Sequence, residues 1–75
     1  MQTVGERLRR ARERKAWTRL DLATRAGLAQ RTILLIEHGR SSPRIPTARR
    51  LCDALAIDPG WLLFGEEGNE DEREH

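Results

Sequence analysis

One kind of chemically able side chain dominates this sequence. Fourteen Lys and Arg residues accompany two His and a single Cys. Thirteen of those cations, all Arg except Lys15, fall in residues 1–50 beside four acidic residues, a balance of +9. Residues 51–75 hold one Arg and eight acidic residues, a balance of −7. A basic body with an acidic end fits a polyanionic partner for the body; on charge alone, it fits a solvated helical surface equally well. No nucleophile stands in a pattern with a base, and there is no phosphate-cradling loop, so the residues argue for a protein that is not an enzyme. His38, Cys52 and His75 lack the spacing of a zinc site, and neither metal nor cofactor is expected. One cysteine excludes an internal disulfide and points to a reducing cytoplasm.

The elements that position these groups are short. Seventy-five residues make one domain with an economical core. The mean hydropathy of −0.71 suits a small soluble globule. No run approaches the ~20 apolar residues of a membrane span, and the first residues lack the apolar stretch of a secretory signal. Apolar residues recur at helical spacing, with no sustained alternation. A first segment, about Thr3 to Lys15, puts Val4, Leu8 and Ala11 on one face. A second starts at Thr18, which can cap it with Asp21 three residues on. Trp17 and Leu22 are placed as a staple across that start, and Gly27 stops the helix. A third segment, Gln30 to His38, turns Ile33 and Ile36 inward and stops at Gly39. In a fourth, Pro46 occupies the first turn, and Ala48, Leu51, Cys52 and Leu55 form the apolar face. Asp58-Pro59 signals a short fifth helix, Gly60 to Phe64, closed by Gly65. Residues 66–75 contain no apolar side chain, cannot repay the entropy of ordering, and read as a disordered acidic tail after a domain spanning 1–65.

Two short helices joined by a tight Gly-containing turn inside an all-helical domain form a helix-turn-helix pattern. The run Leu22-Ala23, Ala26-Gly27-Leu28, Ile33, Ile36-Glu37 and Gly39 resembles the Cro/phage-repressor, or XRE-type, helix-turn-helix family. Gly5, Leu8, Arg12, Thr18, Pro43, Leu51, Leu55, Ile57, Trp61-Leu62-Leu63 and Gly65 extend the likeness over residues 5–65. The resemblance implies a compact, all-α, lambda-repressor-like domain of five helices. It also implies a sequence-specific transcriptional regulator, a repressor or autoregulator, that binds a palindromic DNA operator as a homodimer.

In that frame residues 29–38 are the recognition helix. Its first residues and outer face would meet base edges: Gln30, Arg31 and, one turn on, Leu35. Gln pairs well with adenine and Arg with guanine, while Leu can touch a thymine methyl. Thr32 within this helix, and Arg19, Arg40, Ser41, Ser42 and Arg44 on either side of it, are candidates for the DNA backbone, Arg44 also for the minor groove. Arg12 and Glu37 match a family ion pair, read as structural with a secondary phosphate role for Arg12. Pro59, Leu63 and Phe64 are the expected dimer surface. Three positions depart from the family pattern. Arg19 stands where Gln is usual, Ala29 where a Ser or Thr cap is preferred, and Leu34 beside Leu35 on a face that is mostly polar in relatives.

Plainer roles fit several other residues. Arg9 and Arg10 read as a solvated face, His38 as an exposed cation near a helix end, and Cys52 and Trp61 as core. The acidic tail reads as a solubilising end, with an internal DNA mimic as the sharper alternative. Two rival functions share the resemblance: an antitoxin or partner-binding protein, whose leucine pair and acidic tail meet a toxin or co-regulator, and a restriction-modification controller.

Overall fold

The computed structural model describes residues 2–65, and all regular structure among them is helical. Five helices follow in order: α1 Val4–Arg14, α2 Arg19–Ala26, α3 Gln30–Glu37, α4 Ile45–Leu55 and α5 Pro59–Phe64. α3 packs against both α1 and α2, α4 lies against α2, and α5 closes the bundle against α1 and α4. Each helix contributes to one core, in which Leu8, Leu22, Ile33, Leu51 and Leu62 are fully buried and Cys52 and Trp61 are buried, as expected of them. Val4, Trp17 and Leu28 pack on its edge. Residues 66–75, with the expectation of a disordered tail, lie outside the described residues.

Local chemistry sets the helix ends. Thr18 accepts from the Asp21 backbone N–H while the Asp21 carboxylate accepts from the Thr18 N–H, at 3.0 and 2.9 Å. Those hydrogen bonds, the one from the Thr18 backbone first, hold the Asp21 carboxyl below its ordinary pKa. Thr3 and Glu6 form the same reciprocal cap at the start of α1, a second cap beyond the one expected at Thr18. Asp58 caps α5 through the Trp61 N–H at 2.9 Å, with Pro59 as the first helical residue. Ala29 gives α3 no side-chain cap, as its residue type implied. Boundaries differ from expectation by about one residue: Thr3, Lys15 and His38 are caps rather than helical residues, and α5 begins at Pro59 rather than Gly60.

Three features could not be read locally. Ala16 and Ala56 adopt left-handed backbone conformations, with φ of 58° and 56°, in the turns that end α1 and α4. Arg7, which helical periodicity would leave on a polar face, is buried. Its Nε donates to the Leu62 carbonyl at 2.8 Å and its Nη1 to the Gln2 carbonyl, so one guanidinium serves the open carbonyl end of α5 and ties it to α1. Gly5 lies where α1 meets the end of α3. A methyl group there would fall on the Ile36 and Glu37 carbonyl oxygens, only 2.8 Å from the latter.

Candidate nucleic-acid interface

The site is built on the α2–α3 turn. Gly27 takes φ of 69°, a conformation that costs a residue with a Cβ about 1–2 kcal/mol. The Leu28 N–H donates to the Ala23 carbonyl at 2.9 Å, which closes α2 and lets α3 begin at Gln30. Ile33, Ile36 and Glu37 hold one side of α3 in the interior. Gln30 and Arg31 are consequently exposed, whereas Thr32, Leu34 and Leu35 are half-buried. Arg31 and Leu35 are four residues apart and share a face. Arg31 and Leu35 thus lie on the side away from the core, while Gln30, exposed in the first turn of α3, shares its row with Leu34 rather than with Leu35.

After α3 the chain turns through Gly39, and the Arg40 N–H donates to the Leu35 carbonyl at 2.9 Å. Arg40, Ser41, Ser42 and Arg44 are all exposed along the connection to α4. Arg44 immediately precedes α4 as its N-cap residue, without a side-chain cap bond. The expected reading residues and the expected flanking cations therefore adjoin one another, on α3 and on the loop that follows it.

Behind this surface lies a cluster of three charges. Arg12 reaches from α1 to Glu37 on α3 in a two-point contact, Nε to Oε2 at 2.7 Å and Nη2 to Oε1 at 3.1 Å. Its Nη1 donates to the Trp17 carbonyl at 2.8 Å. The hydrogen bond to Glu37 raises the Arg12 pKa further. Arg19, the first residue of α2, donates its Nε to Glu37 Oε1 at 3.0 Å. Side-chain exposure is 0% for Glu37, 10% for Arg12 and 33% for Arg19. The structural part of the Arg12 expectation is therefore present, and the 10% exposure leaves little surface for a phosphate. Sequence spacing did not reveal that Arg19 shares the same carboxylate, because the two residues are eighteen positions apart.

Around the α1–α2 turn, the Arg25 guanidinium stacks 4.5 Å from the Trp17 ring centre and Lys15 Nζ lies 5.6 Å from it. On α5, Pro59 and Phe64 are exposed, Phe64 to 73%, and Leu63 is half-buried. Exposed Leu20 and Ile45 were not singled out by the sequence pattern. Among the described residues no group of three or more His, Cys, Asp or Glu side chains could hold a metal, and no helix is long and apolar enough to cross a membrane.

Residues 5–68 match the family described as helix-turn-helix domain. The chain belongs to that family. This helix-turn-helix domain is 37% identical over 65 residues to the HTH-type transcriptional repressor RghR of Bacillus subtilis (strain 168), an alignment covering 85% of this chain and 48% of that protein. It is 32% identical over 65 residues to the HTH-type transcriptional regulator DicA of Escherichia coli (strain K12), covering 87% of this chain and 48% of DicA. The chain thus spans about half the length of the curated relatives it matches. Among solved structures, the P22 c2 repressor protein, crystallised in complex with synthetic operator 9T in the presence of Tl+, superposes with a TM-score of 0.83 at 27% identity. That match covers 88% of this chain and 100% of the repressor chain. The fold class expected from the sequence, all-α with five helices, is the one observed among the described residues. These relatives are regulators of transcription, not enzymes.

Proposed function

We propose that this helix-turn-helix domain is a DNA-binding transcriptional regulator, a repressor or autoregulator. In this reading α3 enters the major groove of a palindromic operator, and two copies bind through α5. The observation that carries the reading is the exposed surface formed by Gln30 and Arg31 on α3 and by Arg40, Ser41, Ser42 and Arg44 after it. A major groove about 12 Å wide admits one helix, and its base edges are matched by amide, guanidinium and apolar side chains. The likeness to a repressor crystallised on an operator supports the same reading.

Gln30, Arg31 and Leu35 are the proposed base readers. Arg19, Thr32, Arg40, Ser41, Ser42 and Arg44 are the proposed backbone contacts, with Arg44 placed at a minor groove. Pro59, Leu63 and Phe64 form the proposed two-fold contact, with half-sites about 34 Å apart.

Salt titrations on a selected operator and on scrambled DNA test the assignment. Arg31→Ala should cost about 1–3 kcal/mol on the operator and relax the choice at one base pair. Arg40→Ala should weaken binding to both DNAs alike and lower the salt slope by about one contact per subunit. Equal loss on both DNAs for Arg31→Ala, with base preference unchanged, refutes its role as a reader. Sedimentation showing a monomer both free and on DNA refutes the dimer.

A second reading, a protein partner such as a toxin or co-regulator, draws on half-buried Leu34 and exposed Leu20 and Ile45. It predicts that Leu34→Ala leaves DNA affinity nearly intact while weakening capture of that partner.

A further inference from the structure

Glu37 is a fully buried carboxylate that faces two guanidiniums. One carboxylate neutralises one of them, so the Arg12–Glu37–Arg19 cluster carries a residual charge of +1. The two arginines are not equivalent. Arg12 holds Glu37 at two points, gives a third hydrogen bond to the Trp17 carbonyl, and is buried. Arg19 holds Glu37 through Nε alone, and its side chain is one-third exposed. The unneutralised charge therefore resides at Arg19, whose Nη1 and Nη2 extend beyond the nitrogen committed to Glu37. A guanidinium is planar, so fixing Nε fixes the direction of the other two nitrogens. Two N–H groups in a fixed fork match the oxygens of a phosphate.

We propose that Glu37 pre-orients Arg19 as a clamp for one DNA phosphate per subunit, the charge of that phosphate completing the neutralisation of the cluster. This rests on the DNA-binding reading above, in which Arg19 is already a proposed backbone contact, and adds how that contact is held: Glu37 is a positioning residue that acts through Arg19. Glu37 belongs to the last turn of α3, so the anchor and the proposed reading helix share one carboxylate. The clamp and the reading side chains are thus held in one register, without a loop between them. A Gln at position 19 would supply an amide there but no charge.

The test uses the full chain with Arg19→Gln and Arg19→Lys, both of which leave the Arg12–Glu37 contact in place. Affinity for a short scrambled duplex is measured across a salt series, with folding checked by thermal unfolding. Arg19→Gln removes the charge and is expected to reduce the slope of log affinity against log salt by about 0.9 per bound subunit. Arg19→Lys keeps the charge but cannot bridge carboxylate and phosphate in a fixed plane. It is expected to keep the slope and to lose roughly three- to tenfold in affinity, the cost of ordering one long side chain on binding. An unchanged slope in Arg19→Gln overturns the phosphate contact, and a wild-type affinity in Arg19→Lys overturns pre-orientation. A variant that no longer folds makes Arg19 structural and also overturns the clamp. Absence of salt-dependent DNA binding by the unaltered chain overturns the regulator reading itself, a result distinct from all of these.

Discussion

Replacing Gly5 by Ala sets two opposing effects against each other. In a helix, Ala is favoured over Gly by about 1 kcal/mol, so local propensity predicts a gain. The packing predicts a loss. The new methyl would meet the Ile36 and Glu37 carbonyl oxygens, at 2.8 Å from the latter and 3.0 Å from its carbonyl carbon. These are backbone atoms in the last turn of α3, so no side chain can swing aside, and α1 must retreat from α3 by about 0.5–1 Å to restore ordinary contact distances. Overpacking of this kind typically costs about 1–3 kcal/mol. The retreat also stretches the Arg12–Glu37 contact of 2.7 Å, which spans the same pair of helices. We expect the loss to win, with a net destabilisation of about 1–2 kcal/mol. At roughly 4–8 °C per kcal/mol for a domain of this size, Tm should fall by about 4–16 °C. Urea unfolding followed by circular dichroism would show a lower midpoint at an unchanged slope. A variant as stable as the parent or more so would mean that α1 and α3 do not approach as closely as described.

Ala56→Gly relieves a left-handed Ala that costs about 1–2 kcal/mol, against about 0.5–1 kcal/mol for the added freedom of Gly in the unfolded chain. A gain of about 0.5–1 kcal/mol in urea unfolding is expected, and a lower midpoint would contradict it. Glu37→Gln leaves the buried Arg12 without its carboxylate and should cost about 3–5 kcal/mol in equilibrium unfolding; a loss below about 1 kcal/mol would show that the cluster contributes little to the fold. Removing residues 66–75 deletes six acidic residues and one Arg, making the chain more positive by five charges. If those acids compete for the basic face, non-specific DNA binding tightens, most at low salt; an unchanged affinity there refutes the competition.

Much of the fold was legible because its punctuation is local. Thr18 with Asp21, Gly27, and Asp58 with Pro59 each act within a few residues, and a linear reading finds them. The inward residues of α3 followed from their spacing, and with them its outer face. What escaped was set by tertiary contact. Arg7 is buried because a carbonyl of α5, fifty-five residues away, requires a donor. Ala16 and Ala56 end their helices in a conformation that their residue type disfavours, so no Gly announced those turns. Arg19 read only as a candidate for the DNA backbone, because its carboxylate partner lies on another helix. The pairing of Arg12 with Glu37 was accessible only through family likeness, since nothing in their spacing joins α1 to α3.

The division of α3 into an inward and an outward side has a consequence for how such a domain can change over generations. Ile33, Ile36 and Glu37 carry the helix's attachment, while Gln30 and Arg31 are exposed and lie outside the core. Substitutions at those two positions cross no buried contact, so their stability effect should remain within about 0.5 kcal/mol. Recognition can therefore drift through many side-chain combinations while the scaffold stays above its folding threshold. A duplicated copy could acquire a new target through a few exposed replacements, with no intermediate that fails to fold. Change at Glu37 is closed to the same process, because every departure there is felt by three helices at once.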